Sequence, residues 1–228
     1  MSGTVGPRPE SIFNRFSFDF DGTDDYISLT PINLSGAFSI SAWVKFSILS
    51  SAESHIINTG TSNSNRIGVY SSTAFQVKIA GTNVFISETG GNDFVTNQWQ
   101  HVLVTRDASN NVNVFRNGSS FGSSTTLSGT LTLDSIFRFN TSQYALGYCD
   151  ELAIFNSDQS ANASTIYNNG VPNDISNLSP LSWWRMGDKA TYSNPGGSGN
   201  WTLTDQGSGG NDGTSNGMDE NNRVLDTP

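Results

Sequence analysis

The chain has 228 residues, of which 35% are hydrophobic and 14% are charged, and its formal net charge at pH 7 is −9. This length corresponds to one domain with a sizeable core, or slightly more. Scarce lysine and arginine argue against nucleic-acid binding and against anionic membrane surfaces, whereas the negative balance is compatible with cation binding. The richness in Ser, Thr, Asn and Gly favours strands and turns over helices.

Targeting and disulfide signals are sparse. The single cysteine, Cys149, cannot form an intrachain disulfide. No apolar run approaches the roughly 20 residues of a membrane-spanning helix, so no membrane insertion is expected. The first residues lack a positive-then-apolar leader. We therefore expect a chain that stays inside the cell, leaves it by lysis, or is a processed fragment.

The first half of the chain reads as a series of short strands. Residues 1–15 are predicted to form an N-terminal arm, because their first part is rich in Gly and Pro. Phe16, Phe18 and Phe20 then alternate with polar residues, which is the two-residue period of a strand. Further strands are predicted at 26–29, 38–46, 55–57, 66–70, 75–79 and 84–86.

The segment 99–118 gives the strongest local signal. Valines alternate with other residues on both sides of a polar break at 107–111, which predicts two antiparallel strands joined by a turn. Asn117-Gly118 is a favoured sequence for a type I′ turn, so a third strand is predicted to begin near Ser120.

The C-terminal half predicts fewer elements. Strands are predicted within 130–139, 144–155 and 182–186. One helix is predicted over 157–168, with Ser157 as its N-cap and Asn169-Gly170 as its stop. The Gly-, Ser- and Asn-rich tail 189–228 is expected to be partly ordered loop and partly flexible. About a dozen short strands with regular turn signals indicate a β-sandwich.

Four segments carry a family resemblance: FSFDFDGTDDYISL from Phe16, FSISAWVKF from Phe38, WQHVLVTRDASNNVNVFRNG from Trp99 and YCDELAIFN from Tyr148. With the helix ending in IYNNG, they resemble the laminin-G-like jelly rolls of the concanavalin A-like superfamily over about residues 16–170. The resemblance implies an all-β, two-sheet antiparallel jelly-roll sandwich with one short helix. It is weak guidance to function, because the fold hosts many.

The order of two further motifs departs from the family. A strand like SWWRM (182–186) and a loop like DQGSGGNDGT (205–214) usually precede the FDG strand, but here they follow the domain. Either this strand returns to the same sandwich, which would make the jelly roll 16–188, or it opens a second, truncated unit. We favour the return, because an unpaired strand with two Trp would be an exposed apolar edge. The arrangement resembles virion and tail-associated proteins of marine bacteriophages.

Four aspartates are the candidate metal ligands. Asp21, Asp24 and Asp25 share one turn, and Asp150 lies at the head of a strand. Carboxylate oxygens at loops suit Ca²⁺, and the resemblance implies a structural Ca²⁺ in such loops. We therefore predict one structural Ca²⁺ at these four residues. The alternative is that Asp and Gly only form a tight turn and cap backbone amides.

Catalytic signatures are missing from the sequence. The five glutamates form no Glu-x-Asp-x-Glu run, and the adjacent Asp150 and Glu151 would face opposite sides of a regular strand. There is no Gly-x-Ser-x-Gly motif and no HExxH motif, and only His55 and His101 are present. We predict that the protein is not an enzyme and has no catalytic residues.

The remaining prediction is a binding role. Aromatic rings stack on sugars and amides bond their hydroxyls, which makes Tyr70, Tyr144 and Tyr148, beside Asn-rich loops, candidate sugar contacts. We predict a non-catalytic, surface-displayed binding or structural module. In this prediction it sits on a virion surface as a capsid decoration, tail or fibre component, contacts other subunits and binds cell-surface glycans. The alternative is an extracellular carbohydrate-binding module excised from a secreted polysaccharide-degrading enzyme.

Overall fold

The computed structural model describes residues 13–50 and 52–228, so most of the predicted N-terminal arm and Ser51 lie outside the described residues. The first strands are β1 (Ser17–Asp21), β2 (Tyr26–Leu34), β3 (Phe38–Phe46), β4 (His55–Asn58), β5 (Arg66–Ser71), β6 (Ala74–Ile79), β7 (Thr82–Ser87), β8 (Gln100–Arg106) and β9 (Asn111–Arg116). The later strands are β10 (Ser119–Thr126), β11 (Leu131–Ile136), β12 (Arg138–Phe139), β13 (Gln143–Tyr144), β14 (Leu146–Phe155), β15 (Ser182–Trp184), β16 (Ala190–Tyr192), β17 (Trp201–Leu203), β18 (Gly213–Asn216) and β19 (Arg223–Val224).

Two antiparallel sheets contain most of these strands. The eight-stranded sheet has the order β10-β9-β8-β3-β14-β1-β19, with β15 also pairing with β14. The nine-stranded sheet has the order β16-β17-β18-β2-β11-β4-β5-β6-β7, and β12 and β13 form a separate hairpin. The predicted all-β, two-sheet antiparallel jelly-roll sandwich is confirmed.

The predicted three-stranded meander is present as β8, β9 and β10. Asn117 has a φ of 50° and Gly118 a φ of 73°, which are the left-handed values that a type I′ turn requires. A Cβ at Gly118 would lie 3.2 Å from Cα of Ser164 and 3.0 Å from the Tyr167 ring. The turn therefore needs glycine both for its conformation and for its contact with the segment after β14.

The predicted helix is much shorter than expected. The α-helix of the described chain, α1, spans only Ala163–Tyr167, and short 3₁₀ turns lie at Ser160–Asn162, Asn168–Gly170, Ser176–Leu178, Met186–Lys189 and Glu220–Asn222. The prediction that Ser157 is the N-cap was wrong, because Asn162 holds that position without a side-chain cap. Asp158 accepts hydrogen bonds from Ser160 N and Oγ, and this local turn competes with a helix start.

Apolar side chains fill two layers. The main core lies between the sheets and includes Phe18, Phe20, Val104 and Trp184. A smaller cluster lies on the outer face of the eight-stranded sheet under the segment 157–178; its buried members are Leu103, Ala153, Phe155, Ala163, Ile166, Ile175 and Trp183. Because β3 and β14 are covered on both faces, almost every residue in them is buried.

The tail 189–228 contributes strands to both sheets, in contrast to the loop expected from its composition. β18 pairs with β2, and β19 pairs with β1. Trp201, which is 1% exposed, packs 5.2 Å from the Phe18 ring, and its Nε1 donates to the carbonyl of Asp219. The strand Ser182–Trp184 also pairs with β14, so the SWWRM motif lies within the same sandwich.

Candidate functional site

Three of the four predicted metal ligands meet at the turn between β1 and β2. One carboxylate oxygen from each of Asp21, Asp24 and Asp25 lies within 4.8 Å of the others. Asp21 Oδ1 accepts from the backbone N of Thr23 and of Asp24, at 2.7 and 3.3 Å. Asp25 Oδ2 accepts from the Asp21 N and from Asn222 Nδ2, at 3.1 and 2.8 Å. The turn chemistry anticipated for these residues is therefore present.

The same turn is strongly acidic. Burial raises the pKa of Asp25 to about 6, and the neighbouring Asp21 and Asp24 carboxylates push it in the same direction. Burial also raises the pKa of Asp19. These groups border an open depression of about 330 Å³ that is lined by Asp19, Asp21, Asp25, Gly217, Asp219, Asn221 and Asn222. This lining offers oxygen donors and no Lys or Arg, so it fits a hard cation such as Ca²⁺.

Asp150 does not join this group. Asp21 pairs with Leu146, and Asp150 lies four residues further along β14, which corresponds to about 13 Å. Its carboxylate is fully buried and accepts from Asn14 Nδ2 and from the Glu151 N, both at 2.8 Å. Burial, reinforced by the Glu151 charge, raises its pKa well above the usual value.

Next to Asp150 lies a buried ion pair that sequence reasoning missed. Glu151 Oε1 accepts from Arg185 Nε at 2.9 Å, and its Oε2 accepts from Trp183 Nε1 at 2.6 Å. Glu151 has a φ of 46° at a bulge between Asp150 and Ala153, so it does not follow a regular strand. Burial raises its pKa to about 7, although Arg185 acts against this shift. Asp150 and Glu151 are 0% and 5% exposed. Both carboxyl groups therefore belong to the interior packing and do not face a ligand at the surface.

Both histidines are internal. His101 is fully buried and shares a 2.8 Å hydrogen bond between its Nε2 and Ser41 Oγ. His55 is equally buried and bonds through Nε2 to the carbonyl of Ala52. Burial lowers the pKa of each to about 3, so both rings are neutral at physiological pH.

The first of the three candidate tyrosines lies on an open aromatic pair. Tyr70 and Phe85 are 42% and 47% exposed, and their ring centroids are 4.5 Å apart in an edge-on arrangement. Both lie on the outer face of the nine-stranded sheet, beside Gln76, which pairs with Phe85 across β6 and β7. The sequence predicted Phe85 only as part of a strand. In the structure Phe85 is exposed because it faces outward on β7, which is an edge strand of the sheet.

Polar side chains continue this surface. Gln76 Nε2 donates to Asn83 Oδ1 at 2.6 Å, while Gln76 Oε1 is buried without a hydrogen-bond partner. We call Tyr70, Gln76, Lys78, Asn83 and Phe85 the Tyr70–Phe85 patch. The core residues Phe75 and Val77 alternate with Gln76 and Lys78 along β6, which fixes the outward direction of the patch.

The other two tyrosines are half-buried and already have ring partners. Tyr144 lies 6.1 Å from the Tyr26 ring, and the Arg138 guanidinium stacks on Tyr26 at 3.7 Å. Tyr148 lies 6.2 Å from the Trp99 ring. Among the exposed large apolar side chains of the described residues, only Tyr70 and Phe85 form a contact between two aromatic rings.

A family comparison defines the class of the protein. The model for Laminin_G_3, described as the concanavalin A-like lectin/glucanases superfamily, matches residues 21–166. The chain belongs to this family, which confirms the resemblance carried by its sequence motifs. No curated protein matches the chain.

Solved structures share the fold at low identity. The "putative carbohydrate binding protein" from Bacteroides ovatus superposes with a TM-score of 0.65 at 17% identity, covering 90% of this chain and 59% of that one. The heptameric SAP-like pentraxin from Limulus polyphemus superposes with a TM-score of 0.53 at 14% identity, covering 68% and 82%. The chain thus spans 59% of the length of the Bacteroides protein. In the described part of the chain, no helix has the length and apolarity needed to cross a membrane.

Proposed function

We propose that the protein is a non-catalytic glycan-binding module whose ligand rests on the Tyr70–Phe85 patch. The observation that carries this proposal is the exposure of two contacting aromatic rings on an otherwise polar sheet face. The carbohydrate binding ascribed to the Bacteroides protein is consistent with this proposal.

The patch offers the chemistry that a sugar needs. An exposed ring packs against the apolar C–H face of a pyranose, and amide groups exchange hydrogen bonds with its hydroxyls. Asn83 is exposed and can exchange hydrogen bonds with a sugar hydroxyl, and Gln76 Nε2 orients it by donating to its Oδ1 at 2.6 Å. The one charged residue of the patch, Lys78, already donates from Nζ to Asn63 Oδ1 at 2.8 Å, and the other four residues are uncharged, which favours a neutral glycan.

Several features support a non-catalytic role. Glycoside hydrolysis uses two carboxyl groups flanking the bond, and the five residues of the patch include none. Asp150 and Glu151 are sealed in the interior, and both histidines are buried. Hydrolysis of a bound polysaccharide above the buffer background would contradict this part of the proposal.

Binding can be tested by titrating a panel of neutral oligosaccharides calorimetrically into the wild-type protein and into the Tyr70→Ala and Phe85→Ala variants. Each substitution should weaken binding by about 2- to 12-fold, because one ring contact contributes roughly 0.5–1.5 kcal/mol. Phe13→Ala, which removes a 76% exposed ring elsewhere, is the matched control. Unchanged affinity in both patch variants would show that the ligand binds elsewhere.

A structural Ca²⁺ belongs to the same proposal, now assigned to Asp21, Asp24 and Asp25 without Asp150. The acidic lining and the raised pKa of Asp25 support it, since a cation would offset the mutual repulsion of these carboxylates. Bound there, the ion would fix the turn between β1 and β2.

The wider context is also proposed, on the sequence resemblance alone. We place the module on a virion surface in contact with neighbouring subunits, with an extracellular module of a polysaccharide-degrading enzyme as the alternative. Capsid or tail genes beside the coding sequence would favour the virion, and polysaccharide-degrading genes would favour the alternative.

A further inference from the structure

The chain binds one of its own carboxylates on the outer face of the eight-stranded sheet. Asp226 Oδ1 accepts from Trp99 Nε1 at 2.8 Å. Asp226 Oδ2 forms an ion pair and hydrogen bond with Lys45 Nζ. One indole N–H and one ammonium thus hold the two oxygens of a single carboxylate, as a dedicated carboxylate site would.

Aromatic rings border this site. Lys45 Nζ lies 4.7 Å from the centre of the Tyr148 ring, and the Tyr148 and Trp99 rings are 6.2 Å apart with an interplanar angle of 59°. The Lys45 side chain is 19% exposed and the Asp226 side chain 40% exposed, so the site is open to solvent. We call Lys45, Trp99 and Tyr148 the carboxylate clamp.

Asp226 is attached to the fold by few contacts. The preceding strand, β19, pairs with β1 over only two residues. Beyond it, Ser17 Oγ donates to the Asp226 carbonyl at 2.5 Å, and Leu225 is 74% exposed and gives no apolar anchor. The clamp can therefore be vacated without disturbing the core between the sheets.

We propose that the carboxylate clamp is a binding site for a uronic acid, and that Asp226 occupies it as an internal competitor. A hexuronate supplies both groups that the clamp addresses: a carboxylate for Lys45 Nζ and Trp99 Nε1, and a pyranose face for the adjoining rings. This site is separate from the Tyr70–Phe85 patch, which lies on the other sheet.

Competition sets the size of the expected effect. The apparent affinity of a ligand is reduced by the fraction of molecules in which its site is open. If Asp226 fills the clamp in about 90–99% of molecules, removing its carboxylate tightens uronate binding by about 10- to 100-fold.

The test compares the full-length wild-type chain with its Asp226→Asn and Asp226→Ala variants. Glucuronate is titrated into each by calorimetry, and the tryptophan indole N–H signals are followed by NMR. Both variants should bind glucuronate about 10- to 100-fold tighter than the wild type, with the Trp99 signal shifting on binding. Asp93→Ala, which removes the same charge from another surface position, should leave the affinity unchanged.

Two further arms assign the gain to the clamp. Adding Lys45→Met to Asp226→Asn should abolish it, because the ammonium is lost. Glucose, which lacks the carboxylate, and acetate, which lacks the ring, should each bind the Asp226→Asn variant at least about tenfold more weakly than glucuronate, the equivalent of about 1.4 kcal/mol.

Several results would overturn the proposal. One is glucuronate affinity that is no tighter in either Asp226 variant than in the wild type. Another is a gain that survives Lys45→Met or appears equally in Asp93→Ala. Equal binding of glucose or of acetate would refute a uronic acid as the ligand. Unfolding curves are recorded for the Asp226 variants as a control. If these curves match that of the wild type, the measured affinities are those of a folded protein.

Discussion

The turn after β1 and the bulge in β14 both crowd carboxyl groups together, but they relieve the crowding in different ways. At the turn, Asp21 and Asp24 are exposed and Asp25 is buried, and backbone amides donate to the oxygens of Asp21 and Asp25. At the bulge, Glu151 is paired with Arg185 and Trp183 instead. Amide donors relieve the crowding at the turn, whereas in the interior Glu151 is paired with a cation and burial raises the pKa of Asp150.

Both regions nevertheless give the same sign of pH dependence. The folded-state pKa of Glu151, about 7, lies above its ordinary 4.5, and that of Asp25, about 6, lies above 3.8. A raised pKa means that the folded state holds a proton that the unfolded state has released. These groups therefore stabilise the protein at low pH, and their contribution falls as pH rises from about 4 to 7.

The largest effect is expected for Arg185→Met. At pH 8 the substitution leaves the Glu151 charge buried without its partner, so the free energy of unfolding should fall by about 3–5 kcal/mol. At pH 5, where Glu151 is protonated, the loss should be smaller, about 1–3 kcal/mol. Urea unfolding at the two pH values measures both losses.

The control for this experiment is Glu151→Gln combined with Arg185→Met, which should recover part of the stability at pH 8 because no buried charge remains. Equal losses for Arg185→Met at both pH values would contradict the assignment of Glu151 as the titrating group.

A smaller effect is expected for Glu151→Gln alone. The substitution removes one proton-binding group. The free energy of unfolding should therefore decrease less steeply between pH 4.5 and 7, with a slope that is smaller by up to about 1.4 kcal/mol per pH unit. Urea unfolding at half-unit pH steps measures the slope. An unchanged slope would assign the proton uptake to the Asp25 region instead.

Calcium should act on the turn and not on the bulge. At millimolar Ca²⁺ and pH 7.5 we expect about 1–2 kcal/mol of stabilisation, which corresponds to about 2–8 °C in Tm for a chain of this size. Scanning calorimetry with Ca²⁺ and with EDTA measures the shift. Asp25→Asn should remove the response and Asp150→Asn should retain it; the reverse pattern would restore Asp150 as a ligand.

The smallest effect is expected for Asp24→Asn in EDTA. Asp24 is exposed, so the change should alter the free energy of unfolding by no more than about 0.5 kcal/mol. Urea unfolding measures it, and a loss above about 1 kcal/mol would show that Asp24 takes part in a tighter network than the turn provides.

The sequence was a good guide wherever a pattern was long enough to repeat. Strands such as β3 and β8 show several alternations, and Asn117-Gly118 marks its turn by conformational preference alone. The strands of the tail have two to four residues, which is too short for a period to show.

The sites were harder to predict, because their residues are distant in sequence. Glu151 and Arg185 are 34 positions apart, and the bulge that directs Glu151 inward follows from tertiary packing. The aspartates of the β1–β2 turn were predictable as neighbours because the first and the last are only four positions apart. Asp150 was misplaced because its distance from them depends on the register of β1 against β14.

β18 pairs with β2 in the nine-stranded sheet, and this long-range pairing affects how the chain folds during synthesis. Ser28 and Thr214, which hydrogen-bond across this pair, are 186 residues apart. At ribosomal speeds of 5–20 residues per second, β2 emerges about 10–40 s before its neighbour. Such a high contact order slows folding and leaves a nascent edge open to aggregation, so yield should depend on chaperones and on translation rate.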